Sequence, residues 1–280
     1  MQVNGRSREA RRSELAATLK FVKSEKSLTM EQLVFTALLN RLFGPPVLAL
    51  LLKLHIHPKY PATPITNAVA MEILVVLLLT IFFIVVRTRL SVERPGGLQH
   101  TVEVIHGFVG DMADEVIGHH SKKYVPYLAT LGMFILSCNL IGLVPGLESP
   151  TAVPVVPLGC ALLTWFYYHF QGLRTNGPVG YLKHFIGPQE GIPLWARIIV
   201  LILLPPIEVF SHLARVLSLT VRLFANMFAG EMVTLVFFSL IPLVVPVVFD
   251  GLHIFVSLIQ TYIFVLLSCV YLGEATGQEH

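Results

Sequence analysis

A chain of 280 residues with 54% apolar and only 13% charged side chains lies away from soluble domains, which carry roughly a quarter charged residues. The net charge of +3 is small and its basic residues are scattered, so no continuous basic face is available for nucleic acid. Ten of the 20 Lys and Arg residues precede Pro61 and none follows Arg222, a segregation that membrane burial of the remainder explains.

Residues 1–30 lack the apolar core of a secretory signal and are expected to remain on the mature protein, and Glu9, Glu14 and Glu25 argue against an organelle transit peptide. Residues 1–60 read as a polar, amphipathic extension and 61–275 as the membrane domain. The first span is predicted near 68–86, interrupted only by Glu72 and Thr80 and closed by Arg87 and Arg89. From Ser91 to Lys123 the apolar residues Val102, Ile105, Val109, Met112 and Val116 recur at helical spacing, the pattern of an amphipathic surface helix. Spans near 124–147 and 151–173 follow, joined by a short loop whose one charge is Glu148. The flanking loops hold Arg87, Arg89, Arg94, Lys122 and Lys123 on one side and Arg174 and Lys183 on the other, which places both in the cytoplasm. The basic N-terminal tail points the other way, although only Lys53 and Lys59 lie close enough to the first span to weigh on orientation. His119-His120 reads as a surface pair. Cys138, Cys160 and Cys269 sit in apolar runs without ligand-like spacing and read as small hydrophobic side chains; no metal or cofactor is expected.

Pro205-Pro206 is a helix-start signal, and the next proline is Pro242. A helix filling that interval is roughly 54 Å long against about 30 Å of hydrocarbon, so it must be steeply inclined or kinked near Gly230. With a last helix near 247–273 it makes an inclined hairpin, 205–241 and 247–273. The fold class is therefore an all-α polytopic membrane protein with about five to six membrane helices.

Glu208, Ser211, Arg215, Ser218, Arg222 and Asn226 succeed one another at steps of three or four and share one face of this long helix. The apolar surroundings put Arg222 at membrane depth, at a cost of about 2.5–3.5 kcal/mol or more, and arginine does not shed its proton to escape it. Glu208 is far along the helix and Glu231 points to a different side, so the compensating acid is expected on another chain. The bland reading is an arginine that snorkels to an interface or pairs for folding alone. The small residues Ala225, Ala229 and Gly230 favour the first, because they admit a closely packed neighbour. On the last helix His253, Ser257 and Gln260 form a second polar stripe. With Asn226 and Glu231 they line a half-depth aqueous path in which a histidine and a carboxylate exchange protons, or else His253 bonds Glu231 across the hairpin purely for packing.

The stretch EVFSHLARVLSLTVRLFANMFAGEM (208–232), with HIFVSLIQTYIFVLLSCVYLGEA closing the chain, resembles the signature region of the subunit a family of bacterial F-type ATP synthases. NLIGLVPGLESPTA (139–152) and TPITN (63–67) resemble further segments, so the resemblance covers residues 60–275. It implies the stator half of a rotary proton path, not itself catalytic, in the bacterial inner membrane, with the c-ring proteolipids and the b-subunit stalk as partners. It makes Arg222 the family's essential arginine, facing the ring and keeping two half-channels from leaking into one another. Asn226, Glu231, His253 and Gln260 take the positions of the half-channel open to the outside, Glu208 and Arg215 those of a polar pair on the other side, and Ser218 lies on the same face as Arg222. A secondary ion-coupled transporter is the alternative and predicts internal repeats, of which none is convincing. An intramembrane hydrolase needs an HExxH or Gly-x-Ser-x-Gly motif, and neither is present.

Overall fold

The computed structural model describes residues 33–55, 58, 60–91, 96–118, 121–144, 146–186, 194–240 and 244–277. The surface pair His119-His120 and the extension up to residue 32 lie outside them. Among the described residues there are seven α-helices and no strand: α1 (Val34–Lys53), α2 (Asn67–Thr88), α3 (Gly97–Ile117), α4 (Val125–Leu140), α5 (Val155–Ile186), α6 (Leu194–Leu240) and α7 (Val244–Thr276). Five stretches are long and apolar enough to cross a membrane, namely Val34–Lys53, Asn67–Thr88, Val125–Leu143, Ile202–Phe237 and Val247–Thr276. The all-α polytopic architecture is thus the one observed. Helix α5 takes the place of the span predicted near 151–173, but Thr164, Tyr167, Tyr168, His169 and Gln171 keep it out of that apolar set.

The described chain forms two compact units, one ending at Met71 and one beginning at Glu72. In the first, α1 occupies part of the stretch read above as a polar extension, a correction with a clear cause. Asn40, Arg41, Pro45 and Pro46 interrupt the apolar run in sequence, yet both prolines lie inside the helix. Asn40 turns its amide to the chain before α2: its Nδ2 donates to the Ile65 carbonyl at 2.9 Å and its Oδ1 accepts from the Ile65 N–H at 3.0 Å. That pairing satisfies both main-chain groups of a buried residue.

The second unit is built on α7. Helix α3 lays its apolar stripe inward: Val109, Met112 and Ala113 pack with Tyr124, Leu128, Val265, Cys269 and Leu272. Asp114 on α3 accepts from the Ser121 hydroxyl, which closes the turn into α4. Helix α5 comprises two helical stretches joined at Gly177, whose φ of +71° suits a residue without Cβ, and Pro178 starts the second. Just before that joint Asn176 Nδ2 donates to the Ala275 carbonyl of α7 at 3.1 Å.

Helix α6 begins at Leu194 rather than at Pro205, and runs through Pro205-Pro206 and Gly230 to Leu240. The two prolines withdraw main-chain donors without ending the helix, a tolerance common in membrane helices whose neighbours re-satisfy the freed carbonyls. At 47 residues it is roughly 70 Å long, far more than a bilayer core needs when upright. Leu219, Leu223 and Met227 of α6 bury against Phe264 of α7, so the two long helices pack side by side.

Replacing Asn40 with Ala is expected to cost about 1–3 kcal/mol, because the Ile65 N–H and carbonyl both lose their partner. Hydrogen exchange at the Ile65 amide reads this directly: it accelerates in Asn40→Ala, and in Asn40→Asp the amide stays protected while the carbonyl contact is lost.

Candidate functional site

Arg222 sits half-buried on α6 between Leu219 and Leu223, both of which are fully enclosed. Its Nη2 donates to Ser218 Oγ, one turn earlier, at 3.3 Å. Among the described residues it makes no ion pair; the ion pairs there join Glu208 with His212 and Arg215 with Glu274. Beside it α6 presents an exposed strip of Leu217, Val221, Ala225, Phe228, Ala229 and Met232.

Toward the C-terminal end of α6, Asn226 Nδ2 donates to Gln260 Oε1 of α7 at 2.8 Å, and Ser257 Oγ lies 3.8 Å from Met227 Sδ. One helical step further, Gly230 admits a close approach: a Cβ there would stand 2.5 Å from His253 Nδ1. The glycine is therefore a socket for the imidazole, and the helix runs through it without a break, the first of the two alternatives left open by the sequence. His253 Nε2 and Gln260 Nε2 are buried and have no hydrogen-bond partner among the described residues.

Glu231 does not bond His253. Its Oε1 accepts the main-chain N–H of Ser149 at 2.9 Å, in the loop between α4 and α5. Gly142 makes this contact possible, since a Cβ there would meet Ser149 N at 2.9 Å and Glu231 Oε1 at 3.1 Å. Behind the carboxylate runs a ladder of buried polar groups. Ser149 Oγ bonds the Cys138 carbonyl at 2.9 Å and Thr151 Oγ1 at 2.8 Å, Thr151 Oγ1 donates to Asn139 Oδ1 at 2.7 Å, and Asn139 Nδ2 reaches Thr261 Oγ1 of α7 at 3.5 Å.

A second cluster lies toward the N-terminal end of α6. Arg215 pairs with Glu274 of α7 at 2.5 Å and stacks its guanidinium 4.8 Å from the Tyr271 ring centre. Glu208 meets His212 instead, Oε1 to Nε2 at 3.4 Å, while His212 Nδ1 is 2.8 Å from the Tyr168 hydroxyl of α5. The Glu208 and Arg215 singled out in the sequence are thus in one cluster but each has its own partner. His212, Tyr168 and Glu274 were missed; an i, i+4 spacing from Glu208 was the available signal for His212, and none existed for the other two. By helical rise Arg222 lies about 14 Å from the level of Glu231 and about 21 Å from that of Glu208, and so between the two clusters.

A helical membrane protein with polar side chains arrayed through apolar helices on both sides of an arginine that makes no ion pair among the described residues is the class that this fold and site define. A family model described as ATP synthase A chain matches residues 69–273, and the chain belongs to that family. It is 59% identical over 249 residues to ATP synthase subunit a of Koribacter versatilis, covering 89% of this chain and 98% of the relative. It is 51% identical over 219 residues to ATP synthase subunit a of Solibacter usitatus (78% and 91% covered), and 38% identical over 213 residues to that of a Sulfurihydrogenibium species (76% and 98% covered).

Gly230→Ala is expected to destabilise the hairpin by about 1–3 kcal/mol through overpacking against His253. Gly251→Ala, with open space around its Cβ, is the matched control, and a thermal melt of the detergent-solubilised chain should fall for the first and not for the second.

Proposed function

We propose that this chain is the stator of a proton path: it carries protons to and from a rotating ring of small proteolipid subunits in an ATP synthase of the bacterial inner membrane. In this reading it performs no catalysis itself and is held by a stalk that includes subunit b. The observation that supports it most is Arg222, a half-buried guanidinium with no acid paired to it among the described residues, flanked by an exposed strip containing Ala225 and Ala229 against which a second helix can pack. The missing acid then belongs to that helix.

The inlet uses Asn226, Glu231, His253 and Gln260, where buried His253 Nε2 and Gln260 Nε2, without partners among the described residues, call for water. The outlet uses Glu208 and Arg215. A proton entering by way of Glu231 and His253 neutralises a ring carboxylate that had faced Arg222. The neutral acid enters lipid at little cost whereas the anion does not, which ties rotation to protonation. On the far side the acid loses its proton to the outlet and meets Arg222 again. Because the guanidinium stays charged it repels a proton that would hop straight from inlet to outlet. Each charge moved through 100 mV contributes about 2.3 kcal/mol, so several protons are summed for one ATP. The transporter reading lacks a counterpart for the unpaired arginine facing an open helix-sized strip.

Arg222→Ala is expected to abolish ATP-driven proton pumping in membrane vesicles and to raise passive proton leak. Arg222→Lys keeps the charge but not the planar fork, and should restrain the leak while leaving coupled pumping severely reduced. Coupled pumping at the parent level in Arg222→Ala membranes would remove the proposal.

A further inference from the structure

We propose that His212, together with Glu208, is the group that holds the outgoing proton in the outlet, and that Tyr168 is the positioning residue that keeps its imidazole turned toward Glu208. This deepens the proton-path reading and rests on it.

His212 is one helical turn beyond Glu208 and nearer to Arg222, so along α6 it is the first imidazole met from Arg222 on this side. It is only 8% exposed and Tyr168 only 2%, which shields their contact from bulk water. Both ring nitrogens are occupied: Nε2 by Glu208 at 3.4 Å and Nδ1 by the Tyr168 hydroxyl at 2.8 Å. The two rings lie 5.7 Å apart at 28° to one another, so the phenol braces the imidazole as well as bonding it. The phenol oxygen accepts from Nδ1–H in both protonation states and holds the imidazolium the more strongly.

Among the described residues, further charged and titratable groups lie around the imidazole. Arg215 on the same helix is neutralised by Glu274 of α7 and lies over Tyr271, which leaves the Glu208 carboxylate to His212. From α5, His169 lies 4.6 Å away between ring centres and is bonded to the Tyr181 hydroxyl at 2.5 Å. Like the inlet, the cluster contains a histidine and a glutamate, although His253 and Glu231 are not bonded to one another.

The transfer balances with water alone as co-reactant. A ring carboxylic acid breaks its O–H bond and the proton, relayed by water, forms an N–H bond at Nε2 of an imidazole whose Nδ1–H donates to the Tyr168 oxygen, leaving the ring carboxylate to face Arg222. The imidazolium is held by the Glu208 carboxylate and by the Tyr168 oxygen. It then gives the proton from Nε2 to Glu208, which is half-buried and passes it to water.

Inverted membrane vesicles carrying the whole synthase test this, with protons pumped per ATP hydrolysed followed as the external pH is varied. The parent is expected to show a limb within about pH 5 to 8, where imidazoles change charge. His212→Gln should remove that limb. Tyr168→Phe should keep it but move it to lower pH by about half a unit or more, because the imidazolium loses an acceptor. A limb unchanged in both variants overturns the proposal. If His212→Gln fails to assemble, Tyr168→Phe decides alone, and reduced pumping with an unmoved limb counts as a purely structural role. Arg222→Ala in the same membranes separates the two levels: if it pumps normally the proton-path reading has failed, and if it does not while both variants keep the parent limb, only the role of His212 and Tyr168 has.

Discussion

An arginine in an apolar helix with no acid among the described residues to neutralise it is the constraint around which the rest is arranged. Arg222 has the Ser218 hydroxyl and nothing stronger within the described residues. A charge left so poorly compensated is costly in hydrocarbon, and the helix that bears it is held from both ends. Arg215 and Glu274 tie its N-terminal part to α7, and Glu231 and Ser149 tie its C-terminal part to the loop after α4. Between these ties Leu219, Leu223 and Met227 pack on Phe264, fixing the rotation of α6 about its own axis and so the direction in which the guanidinium looks.

The apolar runs made α2 and α7 legible to within about three residues, because a run of that length has few alternatives to a spanning helix, whereas α4 stops at Leu140, short of the span read to 147. Where runs were broken by residues with a strong local meaning, the reading erred. Pro205-Pro206 signalled a helix start in a segment that is helical on both sides of it, and Pro45-Pro46 with Asn40 and Arg41 hid α1. In each case tertiary or lipid surroundings overrode the local preference.

The site was legible as far as helical periodicity reaches. Steps of three and four along α6 gathered Glu208, Arg215, Ser218, Arg222 and Asn226 onto one face, and the stripe on α7 supplied Gln260 and His253. Periodicity is silent about partners on other elements. Glu231 bonds a main-chain amide at residue 149, Arg215 finds Glu274, and His212 finds Tyr168. The close approaches are of the same kind: Gly142 and Gly230 are ordinary glycines in sequence and become necessary only once Ser149 and His253 are seen against them.

The tie between Glu231 and Ser149 runs through the peptide backbone, and this has a consequence for drift over evolutionary time. Every amino acid but proline carries that N–H, so the buried position 149 can exchange among residues of its small size without releasing the carboxylate, while the hydroxyl ladder behind it is rebuilt from other polar residues. Divergent sequences can therefore look dissimilar in this loop and still grip the same acid, and alignment of side chains alone will underestimate how well the grip persists.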